Sequence, residues 1–202
     1  MAFDPTFRLP SLEGDRILHE ASRTGVIMRR FCTVFVGVTV AIAGVVAPAC
    51  SQAAVTAKDV QVAARILSFS DSPPTGDVKL GIVYDPANVA SAAEEAALVG
   101  ILGSGLQVGS ITLVPVPISM DKIGSTPSDV LFLTSGLGAE GAKVSARGKT
   151  LCMTTDAAAT VAGYCAISIQ TTPKVQITVN KAAAANSGGS FASAFLMMVT
   201  EI

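Results

Sequence analysis

Two cysteines and a few hydroxyl clusters are the side chains of this sequence best suited to chemistry. Cys152 and Cys165 stand thirteen apart, an even pair that in an oxidising compartment reads as one disulfide. The other reading is two buried free thiols acting as small core hydrophobes. Ser135-Gly136 and Thr154-Thr155-Asp156 each follow an apolar strand-like run, and Asn180 follows another. Hydroxyls, a glycine and a carboxylate at strand ends can receive a small polar ligand, and the same residues also make ordinary turns and caps. For Asn180 the capping reading is the stronger.

What is missing narrows the chemistry further. The sole histidine, His19, precedes an export-like segment, so residues 54–202 carry no imidazole. That excludes Ser-His-Asp and Cys-His catalysis within one mature chain, and histidine-ligated metals with it. Serine–lysine chemistry stays open on composition alone. Gly100, Gly103, Gly105 and Gly109 follow a helical run, whereas a dinucleotide fingerprint needs its glycines between strand and helix. Asp85 sits at a strand end, but Pro86-Ala87-Asn88 brings no glycine cradle. Glu94-Glu95 read as the solvated side of an alanine-rich helix. The residues therefore point to a binding protein with no cofactor, not to an enzyme.

The segment that decides where the protein works is Arg29 to Ala53. Arg29 and Arg30 lead into an apolar run from Phe31 to Ala47, and small residues at Ser51 and Ala53 follow. A basic head, an apolar middle and a small-residue exit make a signal peptide, with cleavage expected after Ala53. An uncleaved membrane anchor is the rival, as the run approaches spanning length. Lipidation at Cys50 is a second rival, with Pro48-Ala49 a poor match before it. Residues 1–27 precede a better start at Met28 and receive no folded role. Residues 1–53 are thus an upstream extension and signal peptide, residues 54–202 the working domain, and the expected location is the periplasm.

That domain is long enough for one hydrophobic core and too short for two. It carries nine Lys/Arg and eleven Asp/Glu with no basic stripe, which argues against nucleic acid. Val60, Ala63, Ala64 and Leu67 give Thr56–Phe69 a helical period, with Thr56 as cap and Asp59 near the positive end. Val78–Tyr84 is a short, almost wholly apolar run of the kind that forms a central parallel strand. Asn88 caps an alanine-rich helix from Val89 to Leu102, ended by Gly103. Strands are expected at Val108–Val116, Asp129–Thr134 and Lys149–Thr154, with Pro115 and Pro117 placing the first of these toward an edge. Ala166–Gln170 and Val175–Val179 flank a hairpin turn. Asn180 then caps a short helix, and Ser190 a final one in which Phe191, Phe195, Met198 and Ile202 recur at helical spacing. The fold class is α/β: a single Rossmann-like three-layer sandwich with a mostly parallel sheet and a C-terminal antiparallel ribbon plus helix.

With these elements in place the chain resembles the YfiR-like family. The residues that carry the likeness are Ala63-Ala64-Arg65-Ile66-Leu67-Ser68-Phe69, the strands VKLGIVYDP and DVLFLTSG, Gly148 to Cys152, and above all VQITVNKAAAANSGG followed by SAFLMMVTEI. The resemblance implies a small exported Rossmann-like protein that regulates by binding. Well-known members inhibit a membrane-bound diguanylate cyclase from the periplasm, and the redox state of their disulfides bears on activity. The implied partner is the periplasmic portion of a membrane signalling protein, with a small polar ligand and a homodimer as further options. A small-molecule receptor lobe is the alternative function. The chain departs from the family where its first helix lacks the usual tyrosine and runs into Asp71-Ser72-Pro73-Pro74, and where Cys165 replaces a glycine-rich stretch.

Overall fold

A computed structural model describes residues 54–141, 143 and 149–202. The signal peptide and cleavage site lie outside these residues. Among the described residues no helix is long and apolar enough to cross a membrane.

Helix α1 (Ala57–Leu67) begins where Thr56 and Asp59 form a reciprocal cap: the Asp59 amide donates to the Thr56 hydroxyl, and the Thr56 amide to Asp59 Oδ2 at 2.8 Å. Strand β1 (Gly76–Tyr84) follows, then α2 (Val89–Leu102), whose first amides donate to Asn88 Oδ1. Next come β2 (Leu106–Val108), β3 (Ile111–Ser119), β4 (Val130–Leu133) and β5 (Cys152–Thr154). Helix α3 (Ala157–Val161), capped by Asp156, crosses to β6 (Ile167–Gln170), which turns into β7 (Gln176–Val179). The chain finishes with α4 (Lys181–Asn186), the single turn α5 (Ser193–Leu196) and β8 (Thr200–Glu201).

All eight strands form one sheet in the order β2-β3-β1-β4-β5-β6-β7-β8. β3, β1, β4, β5 and β6 run parallel, β2 runs against them, and β7 reverses the direction that β8 then shares. The chain leaves β1 for β3 on one side and returns to β4 on the other, so the strand order switches between β1 and β4. This is the mostly parallel, Rossmann-like α/β sandwich with an antiparallel ribbon that the sequence pattern implies.

Burial on both faces explains the unbroken apolar strands. Val78, Leu80, Ile82, Val130, Phe132 and Met153 face one cluster, where α1 and α2 pack. Val83, Leu131, Leu133 and Cys152 face the other, with Ile118 and Leu137. Successive residues of a strand point to opposite faces, so a strand covered on both sides cannot alternate with polar residues. Gly81 lies between these clusters, and a Cβ there would come within 2.8 Å of Ile118 and Ser128 and 2.9 Å of Leu131.

Four expectations need correction. The strand expected at Val108–Val116 is a hairpin: Gly109, with φ of 64°, turns β2 into β3, whose long run pairs with β1 as far as Ser119. Pro115 and Pro117 lie beyond the reach of β2, on the open edge where a missing donor costs no ladder bond. The excursion between Cys152 and Cys165 is not loop alone but contains α3. The closing helix is one turn, not a run from Ser190 to Ile202. Phe191 bridges to Ser70 instead, and the Ile202 amide donates to Val179 O, drawing the last residues into the sheet. Finally, Glu94 is not on a solvated face; its role belongs to the site.

Cys152 and Cys165 are joined in a disulfide across a Cα–Cα distance of 5.2 Å. Cys152 opens β5 and Cys165 immediately precedes the start of β6, so the parallel pairing of these neighbours, Met153 with Ile167, brings the two together.

Candidate functional site

The carboxyl edge of the parallel strands gathers most of the candidate residues. Between the ends of β1 and β4 the switch point is closed by hydrogen bonds. Thr134 donates its hydroxyl to Val83 O at 2.9 Å and lies 2.6 Å from the Ser91 hydroxyl of α2, which accepts the Asp85 amide. Gly136, with φ of 83°, lies so close to Asn88 that a Cβ would stand 2.8 Å from its side-chain nitrogen. The crevice that in many open α/β sheets admits a phosphate is therefore filled by the chain's own polar groups.

One position further along the edge the arrangement opens. Glu94, half-buried on α2, accepts from the Ser135 amide and hydroxyl through Oε2, both at 2.7 Å, and from the Thr155 hydroxyl through Oε1, also at 2.7 Å. One carboxylate thus ties α2 to the ends of β4 and β5. Beside it lies a cavity of about 290 Å³ lined by Ser135, Thr155, Asp156, Gln170, Thr172 and Asp59, among others. A smaller hollow of about 210 Å³, lined by Glu94, Ser135 and Ala54, adjoins it on the α2 side.

Of the expected site residues, Ser135, Thr155 and Asp156 meet at this cavity. Thr154 is buried, and its hydroxyl accepts the Asp156 amide, which shapes the turn without facing the cavity. Gly136 supports Asn88. Asn180 lies at the opposite edge, because β7 runs against β6 and its carboxyl end falls beside the start of that strand: the Asn180 amide donates to Ala166 O. Its side chain caps α4 through the Ala183 amide and donates to Thr160 O at 3.0 Å. The capping reading of Asn180 accounts for its contacts. Asp59 and Glu94 are the residues the sequence reading placed elsewhere. The capping-box spacing locates Asp59 on α1, but nothing local brings α1 to the ends of β5 and β6.

A Ser-x-x-Lys spacing occurs at Ser119–Lys122, in the short 3₁₀ turn after β3. The Ser119 side chain there bonds the exposed Asp121 carboxylate and holds its pKa below the usual value, and Lys122 is exposed. No general base is positioned, and the pair carries no catalytic arrangement.

A second feature lies away from this edge. A groove of about 420 Å³ runs between α1 and the C-terminal elements, lined by Ile66, Phe69, Val175, Ile177, Phe195 and Met198 and bordered by Lys58 and Arg65. Phe69 stacks on Phe195 with ring centroids 5.2 Å apart. Met198 is 68 % exposed, and Phe69, Val175 and Ile202 are exposed as well.

Fold and site together define an α/β protein of Rossmann-like architecture with a polar cavity at the strand ends and a separate apolar groove. No family model matches the chain, and no curated protein matches it. Among solved structures, it is similar to a conserved domain protein from Vibrio cholerae O1 biovar El Tor str. N16961, at 15 % identity and a TM-score of 0.49, over 72 % of this chain and 59 % of that one. The chain therefore spans less than two thirds of that protein's length.

Proposed function

We propose that this is an exported regulatory protein of the YfiR-like kind, which acts by binding the periplasmic portion of a membrane signalling protein such as a diguanylate cyclase. The observation that carries the reading is the groove beside α1. Exposed Phe69, Val175 and Met198 form one continuous apolar surface there, and apolar patches rimmed by polar residues mark interaction sites. Lys58 and Arg65 are its charged lining residues, and neither forms an ion pair among the described residues. The groove thus suits an amphipathic segment of the partner that carries apolar side chains and one or two carboxylates. The disulfide supports an oxidising location, and the Arg29–Ala53 segment supplies the route to it.

The test is in-cell photocrosslinking from position 175, with purification from the envelope and mass spectrometry. A membrane signalling protein captured by the native chain, and lost in Met198→Glu while the melting temperature is kept, is the expected result. Capture that persists in Met198→Glu places the partner elsewhere on the surface. Recovery from the cytoplasm with residues 29–53 still attached overturns the export reading. A second reading, a small-molecule receptor lobe, is favoured by the polar cavity at the strand ends.

A further inference from the structure

The cavity at the carboxyl edge has a charge character unlike that expected of its position. Open α/β sheets bind anions there because helix N-termini present unsatisfied amides. In this protein the amides are already taken. Asp156 Oδ1 accepts from the Ala158 and Ala159 amides of α3, Asn88 Oδ1 from the first amides of α2, and the Thr56 hydroxyl from the Asp59 amide of α1. What remains toward the cavity is negative. Asp59 and Asp156 both line it, no lysine or arginine does, and Glu94 lies behind Ser135 and Thr155.

Asp59 is the informative residue. It is 5 % exposed, and its hydrogen bonds from Thr56 both go to Oδ2, at 2.8 Å from the amide and 2.6 Å from the hydroxyl. Oδ1 has no hydrogen-bond partner among the described residues. A carboxylate oxygen so deeply placed costs free energy unless a donor reaches it. Asp156 likewise bonds through Oδ1 alone. No group of three or more potential ligands among the described residues is arranged to hold a metal ion. Around the two carboxylates stand the neutral polar groups of Thr155, Gln170, Thr171 and Thr172, which suit hydroxyls.

We infer that this cavity binds a small hydroxylated primary amine, with the ammonium held between Asp59 and Asp156 and the hydroxyls met by Thr155, Gln170 and Thr172. The volume, about 290 Å³, suits a compound the size of an amino sugar. Capped amides and two carboxylates make the same space repel phosphates and nucleotides. This site is independent of the groove and of any protein partner.

The probe is D-glucosamine, titrated into the purified chain spanning residues 54–202 while amide chemical shifts are followed by NMR. D-glucose is the neutral isostere, inorganic phosphate the anion and calcium the metal control. The expected result is saturable shifts at Thr155, Gln170 and Thr172 with glucosamine, weakened by salt, and none with the other three. Asp156→Asn and Asp59→Asn keep an acceptor for each cap and remove the charge, and each is expected to lower affinity by roughly tenfold or more. No saturable shift with glucosamine, an equal response to glucose, or preferred binding of phosphate or calcium overturns the proposal. Undiminished affinity in both folded variants does so too. The comparison of probes on the unaltered protein decides the matter even where a variant fails to fold.

Discussion

Glu94→Ala is the substitution that most directly tests how the strand ends are held. The Glu94 carboxylate receives three hydrogen bonds, each at 2.7 Å, from the Ser135 amide, the Ser135 hydroxyl and the Thr155 hydroxyl. A hydrogen bond to a charged group contributes about 1.5–3 kcal/mol when well buried. Glu94 is only half-buried, so water screens it and can replace part of what is lost. The hydroxyls can turn to other acceptors, but the Ser135 amide cannot, and Ser135 is buried. The balance is a destabilisation of about 2–4 kcal/mol, more than the few tenths expected of an ordinary surface change. For a domain of this size that lowers the melting temperature by roughly 5–12 °C. Urea unfolding followed by far-UV circular dichroism gives the free energy directly. Glu95→Ala is the control: the adjacent residue makes no side-chain hydrogen bond or ion pair among the described residues, and its replacement is expected to be nearly neutral. A Glu94→Ala loss under about 1 kcal/mol, or one matched by Glu95→Ala, refutes the view that this carboxylate clamps α2 to the strand ends.

Two further outcomes follow from the fold. Cys152→Ser removes a link that closes a short loop, and should cost about 2–4 kcal/mol in urea unfolding, whereas the native chain should lose a similar amount only when reductant is added. Equal stability of the native chain with and without reductant would contradict this. Gly81→Ala places a methyl within 3 Å of Ile118, Ser128 and Leu131, side chains of the packed face of β1. Overpacking there should destabilise by about 1–3 kcal/mol, against the small gain that removing a glycine gives in an open strand. A stabilised Gly81→Ala would mean that the second face of the sheet is looser than described.

Local chemistry makes several elements legible from the residues alone. The Thr56–Asp59 cap, the Asn88 cap and the length of α2 depend on groups a few residues apart, so short-range spacing determines them. Val78–Tyr84 and Asp129–Thr134 read as central strands because burial on both faces leaves no room for polar alternation. The cysteine pair is legible for a similar reason: two apolar runs joined by a short excursion bring their ends within bonding distance.

Where the sequence misleads, the deciding contact spans far more chain. Phe191, Phe195, Met198 and Ile202 keep a helical period, yet Phe191 bridges to Ser70 and Ile202 bonds Val179, so the sheet claims residues that a helix would otherwise take. Glu94 looks like half of a solvated pair, and only folding brings it to Ser135 and Thr155, 41 and 61 residues away. Asn180 ends a strand as Thr154 does, but strand direction is a property of pairing, and the reversal of β7 sends it to the other edge. Residue types and local spacing thus determined the caps, the apolar strands and the α/β class. Tertiary structure decided which strand ends share an edge, which carboxylates meet there and which apolar side chains stay exposed, because each depends on packing between segments far apart in the chain.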